Sequence, residues 1–168
     1  MSLYLLANGA MQTTAAFVAV STGTVIKTLL QAKPFNVAKI VEWGISFDGF
    51  AAALPGKVEL IETDVAATVT AHVDADITKQ GPCVGDQAAA SVAGLTLGTS
   101  ATGFTASAEG AITAVRNLDA PIFLPPTGPF CKQFPLGREP VIQIGKFGRI
   151  RVTFGTAVNA YCYMVLDI

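Results

Sequence analysis

Residues 131–168 alternate with a period of two through three segments broken by Gly-containing turns. Ile150, Val152 and Phe154 alternate with Arg149, Arg151 and Thr153. Val158, Ala160, Cys162, Met164 and Leu166 alternate with Asn159, Tyr161, Tyr163, Val165 and Asp167. Successive side chains of a strand point to opposite faces, so this pattern predicts half-buried antiparallel strands. It places Cys162 on an apolar face, as a small hydrophobe. Such an ending leads us to expect no tail or appended domain, and a function that lies in a packed β body.

The same reading extends upstream. Thr13–Val20 and Thr24–Gln31 are β-branched runs around Ser21-Thr22-Gly23, which predicts two strands. Within Val37–Asp48, Val41, Trp43, Ile45 and Phe47 share one face, with Glu42, Ser46 and Asp48 on the other. Asp48-Gly49 signals a turn. Lys57–Thr63 is a further strand with Val58 and Leu60 inward, and Thr68–His72 continues it or begins the next. Ala111–Arg116 resumes a strand pattern, and Pro121, Pro125, Pro126 and Pro129 exclude a central strand between them. Residues 74–110 are Ala/Gly/Ser/Thr-rich and read as an irregular excursion ordered by contacts, with one short helix expected over Asp86–Ala93.

The sum is an all-β chain: one domain over residues 1–168, with residues 1–12 as an N-terminal arm. A jelly-roll-like β-sandwich is the expected form. An immunoglobulin-like sandwich ranks second, because the Cys…Trp…Cys spacing is missing.

Only 14% of residues are charged, against about 25% in soluble domains. Two readings follow: a surface covered by other subunits, or a neutral Ala/Thr/Gly-rich protein that is simply soluble. A formal net charge of −1 gives no sign of a nucleic-acid or anionic-membrane partner. The distribution is uneven. Residues 42–86 hold eight acids against two bases, whereas residues 116–151 hold six bases against two acids. The two segments either meet between copies or neutralise each other within one fold. Cys83, Cys131 and Cys162 form no C-x-x-C and are odd in number, so neither a zinc site nor a disulfide framework is indicated, and one pair stays open. The apolar N-terminus lacks a basic region and is broken at Asn8-Gly9, unlike a signal peptide. No apolar run reaches the ~18 residues of a membrane span.

Catalytic patterns are weak. His72 is the only histidine, no G-x-S-x-G elbow accompanies it, and it reads as a loop or strand-end imidazole. Asp74 and Asp76 lack a calcium-loop glycine and read as solvated loop charges. Glu42 with Glu59 or Glu62 has the composition of a glycosidase carboxylate pair, but outward-facing strand acids are the commoner explanation, and no aromatic sugar platform accompanies them. Gly145-Lys146-Phe147-Gly148-Arg149 lacks the Walker spacing and reads as a hairpin turn. Adjacent Arg138 and Glu139 point to opposite sides of a strand and are not expected to pair with each other. No catalytic, cofactor-binding or metal-ligating residue is assigned, and no enzymatic activity is expected.

Three segments carry a resemblance: IVEWGISFDG (residues 40–49), GFTASAEGAITAVR (103–116) and KQFPLGREPVIQIGKFGRIRVTFGTAVNAYCYMVLDI (132–168). Together they resemble a group of small proteins encoded with tailed-bacteriophage structural genes. The resemblance implies a virion protein, made in the host cytoplasm and placed on the capsid exterior. It implies a decoration or cement role, a homotrimer and a major capsid protein as partner. On that reading, the N-terminal arm and the central excursion reach to neighbours. A receptor- or carbohydrate-binding module of a tail or head fibre is the alternative, and a small hydrolase the third reading.

Overall fold

The computed structural model describes residues 3–10, 20–23, 25–48, 55–80, 94–123 and 128–168. In chain order, the strands are β1 (Leu3–Ala7), β2 (Val20–Ser21), β3 (Lys27–Ala32), β4 (Ala38–Asp48), β5 (Gly56–Thr63), β6 (Thr68–Ala71) and β7 (Thr78–Gln80). They continue with β8 (Gly103–Ala108), β9 (Val115–Asp119), β10 (Ile122–Phe123), β11 (Phe130–Gln133), β12 (Val141–Ile142), β13 (Phe147–Thr153) and β14 (Asn159–Asp167). A 3₁₀ turn at Asp74–Asp76 is the single helical element among the described residues. The expected helix over 86–93 lies outside them, as do Thr13–Ala19 of the first expected strand and the glycine of Asp48-Gly49.

The strands form two antiparallel sheets of seven. Sheet A runs β11-β4-β14-β1-β7, with β12 also on β4 and β2 also on β14; sheet B runs β10-β5-β13-β3-β8-β6, with β9 also on β5. One apolar core joins them: Leu6, Trp43, Ile45, Cys162 and Met164 from sheet A pack with Leu30, Val58, Leu60, Ile150 and Val152 from sheet B. The molecule is therefore an all-β sandwich. Period-two patterning works because each inner face meets the other and buries alternate residues, at roughly 1.5–3 kcal/mol for each large side chain.

Strands that follow one another in the chain cross between the sheets: β3 in B, β4 in A and β5 in B, and again β13 in B and β14 in A. The turn at Gln143–Lys146, closed by the Lys146 N–H on the Gln143 carbonyl at 3.0 Å, therefore joins β12 of sheet A to β13 of sheet B. It is a turn, as expected, but an inter-sheet turn rather than a hairpin. The inward faces of Val58/Leu60, of Ile150/Val152/Phe154 and of Val158 to Leu166 are as the alternation predicts. Val41 is different. Glu42 pairs Val165 and Ile40 pairs Leu166, so Val41 is the extra residue of a β-bulge and Ile40 takes its core position, fully buried.

The N-terminal stretch was expected to be an arm reaching to neighbours. Leu3–Ala7 instead lies within sheet A, between β14 and β7. β1 and β2 are collinear along one edge of β14, and Asn8 fills the gap between them. Its backbone N–H bonds the Cys162 carbonyl at 3.0 Å. Its side-chain amide donates to the Ala160 carbonyl and accepts the Cys162 N–H, both at 2.9 Å. The fully buried amide thus acts as a surrogate peptide in the ladder. The described parts of residues 74–110 are also less irregular than expected. β7 extends sheet A, and β8 with β6 extends sheet B.

Asn8→Ala should strand the Cys162 N–H and the Ala160 carbonyl, costing about 1–3 kcal/mol for each buried group left unpaired. Asn8→Asp should be no better, because a carboxylate cannot donate to Ala160. Urea melts of the two variants against the parent check this; parent-like midpoints would refute the surrogate role.

Candidate functional site

Most of the polar side chains with chemistry are used to seal the outer faces of the two sheets. Arg149, which the alternation sets with Arg151 on the face opposite Ile150 and Val152, is fully buried. On the outer face of sheet B its guanidinium donates to the Glu109 carbonyl at 3.1 Å and to the Val65 carbonyl. It also pairs with the Glu109 carboxylate at 3.4 Å. That carboxylate accepts the Thr28 hydroxyl at 2.6 Å and the Thr28 N–H. Beside it, the buried amide of Gln31 donates to Ala101 at 2.6 Å and accepts the Ala67 N–H at 2.8 Å. The segments around 65–67, 101 and 109 therefore close over the sheet and remove Arg149 from water. Desolvation lowers its pKa to about 10, with Glu109 opposing the shift. The guanidinium stays charged at neutral pH.

Arg151 is paired rather than free, 3.0 Å from Glu59, which also holds Lys57 at 2.6 Å. Burial works against the Glu59 carboxylate, and the hydrogen bonds and charges of Lys57 and Arg151 overcome it, leaving the carboxyl below its ordinary range. Glu62 accepts the Gln143 N–H at 2.7 Å and pairs with Arg116 at 3.2 Å. These pairs join the acidic segment to the basic one inside a single chain, so internal neutralisation accounts for this part of the charge split.

Glu59 and Glu62 belong to sheet B and Glu42 to sheet A, so they form no carboxylate pair across a substrate. Glu42 belongs to a group that sequence reasoning missed. Tyr163 donates to Glu42 at 2.6 Å, Cys131 Sγ lies 3.3 Å from the same hydroxyl, and Gln133 donates to Glu42 at 3.2 Å. The register of β11, β4 and β14 aligns Cys131, Gly44 and Tyr163 across the outer face of sheet A. A Cβ at Gly44 would lie 2.5 Å from the Tyr163 ring, so only glycine lets the ring lie flat over β4. Burial, then Cys131 and Glu42, push the Tyr163 phenol up, which holds it as a neutral donor. Alternation already marked Glu42 and Tyr163 as outward; no sequence signal paired β11 with β4. Cys131 is an exposed free thiol and Cys162 a buried one whose pKa burial raises. Cys83 lies outside the described residues.

His72 sits between β6 and the 3₁₀ turn, as a strand-end imidazole, but it is buried. Its Nδ1 is 3.4 Å from Asp76 Oδ2, which also accepts the Val73 N–H at 2.9 Å. Asp76 is therefore a buried capping group and not the solvated loop charge expected. Burial lowers the His72 pKa and Asp76 opposes this. Glu139 accepts the Gly137 N–H at 2.8 Å rather than meeting Arg138. No group of three or more His, Cys, Asp or Glu suited to a metal ion occurs among the described residues, and no helix among them is long and apolar enough to cross a membrane.

Two shallow cavities lie among the described residues. One of about 350 Å³ lies beside Val25, Ile26, Ala106 and Glu109, and one of about 130 Å³ lies beside Asp64, Val115, Arg116 and Lys146. Neither converges a nucleophile with a base. Searches against known protein families, curated proteins and solved structures found no match to this chain.

Arg149→Met should cost about 3 kcal/mol, since it leaves the part-buried Glu109 carboxylate without its cation and the Val65 and Glu109 carbonyls without their donor. Arg151→Met should cost about 1 kcal/mol, because Lys57 remains on Glu59. Chemical denaturation of both variants checks the contrast, and equal losses would refute it. Asp64 accepts hydrogen bonds from Thr113 and from the Ala114 N–H at 3.0 Å, which hold its carboxyl at about 2 against an ordinary 3.8. A depressed carboxyl stabilises the fold above its unfolded value, and that contribution is lost as pH falls from about 3.8 through about 2. Asp64→Asn should flatten this part of the Tm–pH curve; an unchanged slope would count against the assignment.

Proposed function

We propose that the chain is a non-enzymatic virion structural protein, a decoration or cement protein that stabilises a bacteriophage head by binding the major capsid protein. One structural observation carries this reading. Arg116, Arg149, Arg151, Lys57 and Lys132 are spent on internal carboxylates. Large apolar side chains such as Phe35, Val37, Ile122, Leu136 and Ile144 meanwhile stand exposed. A body that neutralises itself and shows apolar side chains at its loops suits burial against other subunits. The resemblance through the EWGISFDG and FPLGRE segments supports the same reading.

The strand order also supports a jelly-roll wind. β1-β14-β4-β11 against β3-β13-β5-β10 is the order in which a folded-over strand pair lies in a jelly roll, with β6, β7 and β8 as additions at one side. Decoration on a shell would gain strength through many modest contacts repeated over a trimer and a lattice. The fibre-module alternative is less favoured. A carbohydrate groove needs aromatic platforms, and Phe35 is the only aromatic among the large exposed hydrophobics of the described residues.

Quantitative protein counting on purified particles should find this chain at a copy number tied to the capsomers, and added protein should bind shells that lack it. A handful of copies per particle would place it in the tail, and a monomer that ignores shells would end the proposal.

A further inference from the structure

Asn8 is followed by Gly9, whereas Asn36, Asn117 and Asn159 are followed by Val37, Leu118 and Ala160. The order matters to peptide chemistry. The backbone nitrogen of the next residue can attack an asparagine side chain at Cγ, and a glycine there has no Cβ to obstruct the approach. The carboxamide nitrogen leaves as ammonia, and a five-membered succinimide forms. Water then opens the ring at either carbonyl, giving aspartate or isoaspartate. The reaction needs base to take the glycine N–H proton, and water to open the ring.

The fold opposes ring closure at Asn8. Nδ2, the atom that would leave, donates to the Ala160 carbonyl at 2.9 Å, and Oδ1 accepts the Cys162 N–H at 2.9 Å. The Asn8 N–H bonds the Cys162 carbonyl at 3.0 Å. Asn8 is fully buried, although Gly9 is partly exposed and Ala10 is exposed. Base and water therefore reach the chain just past Asn8. Closing the ring still means giving up two buried hydrogen bonds. Attack geometry at Cγ becomes accessible when the segment leaves β14. That step also undoes the five β1–β14 pairs from Leu3 to Ala7 and withdraws Leu6 from the core.

Neither product restores the rung. Aspartate has no N–H for the Ala160 carbonyl, and it brings a charge into a fully buried place. Isoaspartate carries the chain through its side-chain carbon, so the backbone gains an atom between β1 and Gly9. We propose that Asn8–Gly9 is a latent modification site gated by the β1–β14 ladder: it converts to aspartate or isoaspartate when β1 leaves β14, and the product keeps the strand from returning. Chemical change of the open chain turns a reversible opening into a permanent one. A molecule that has opened for long is thereby marked and lost from the folded pool.

The test incubates the full chain in mildly alkaline buffer, native or in guanidinium chloride. Mass spectrometry of the tryptic peptide 1–27 then reads the amide-to-carboxylate change, and chromatography separates the two products. Unfolded chain should convert at Asn8 ahead of Asn36, Asn117 and Asn159. Native chain should convert at least about tenfold more slowly, because the rate follows the open population. Leu6→Ala loosens β1 without touching Asn8 or Gly9 and should raise the native rate; Leu6→Val, a smaller loss, should lie between it and the parent. Asn8→Asp, which supplies one product directly, should melt at lower denaturant than the parent. Equal conversion of native and unfolded chain, or none in the unfolded chain, overturns the proposal. A native rate unmoved by both Leu6 variants removes β1 as the gate, and a parent-like midpoint for Asn8→Asp overturns the one-way step.

Discussion

Everything in this sandwich depends on β13 and β14 occupying the middle of the two sheets. β14 pairs with β4 on one side and with β1 and β2 on the other, while β13 pairs with β5 and β3. Without them, β1 and β4 share no ladder, and neither do β3 and β5. The inner faces of these two strands and the residues that flank them, Ile150, Val152 and Phe154 and alternate residues from Val158 to Leu166, also supply much of the shared core. Pairings so distant in sequence bear their loop-closure cost before any contact rewards them, so folding is expected to be slow and concerted.

The outer faces follow from this arrangement. Sheet B covers part of its second face. Gln31 and Arg149 lie beneath the segments around 65–67, 101 and 109, and the guanidinium supplies donors that the covering backbone carbonyls of Val65 and Glu109 require. On sheet A the corresponding role falls to Tyr163 over Gly44, tied to Glu42. Polar chemistry that would suggest catalysis in a cleft works here as mortar between layers.

The strands were legible from sequence because one face of each meets the core; Ile150, Val152 and the run from Val158 to Leu166 behave as alternation requires. Three things were not legible. The bulge at Val41 shifts a face by one residue, and no pattern of side-chain types marks it. The burial of Arg149 depends on segments around 65 and 109 that fold back over it, which no local pattern announces. The Cys131–Tyr163–Glu42 group needs β11 beside β4, a pairing between segments nearly ninety positions apart. Asn8 was visible only as an interruption of an apolar run, and the interruption proves to be a ladder rung.

The alternation of core strands between sheets also has a mechanical consequence. No two successive core strands form a hairpin that can peel away alone, since each is pinned between neighbours from elsewhere in the chain. A pull arriving at the turns carrying Leu136 and Ile144 is passed to β4 and β13, and from them along the lengths of β14, β5 and β3. Their ladders are then loaded as many bonds at once rather than one after another. The body is thus suited to bear tension at its corners and pass it inward without local tearing.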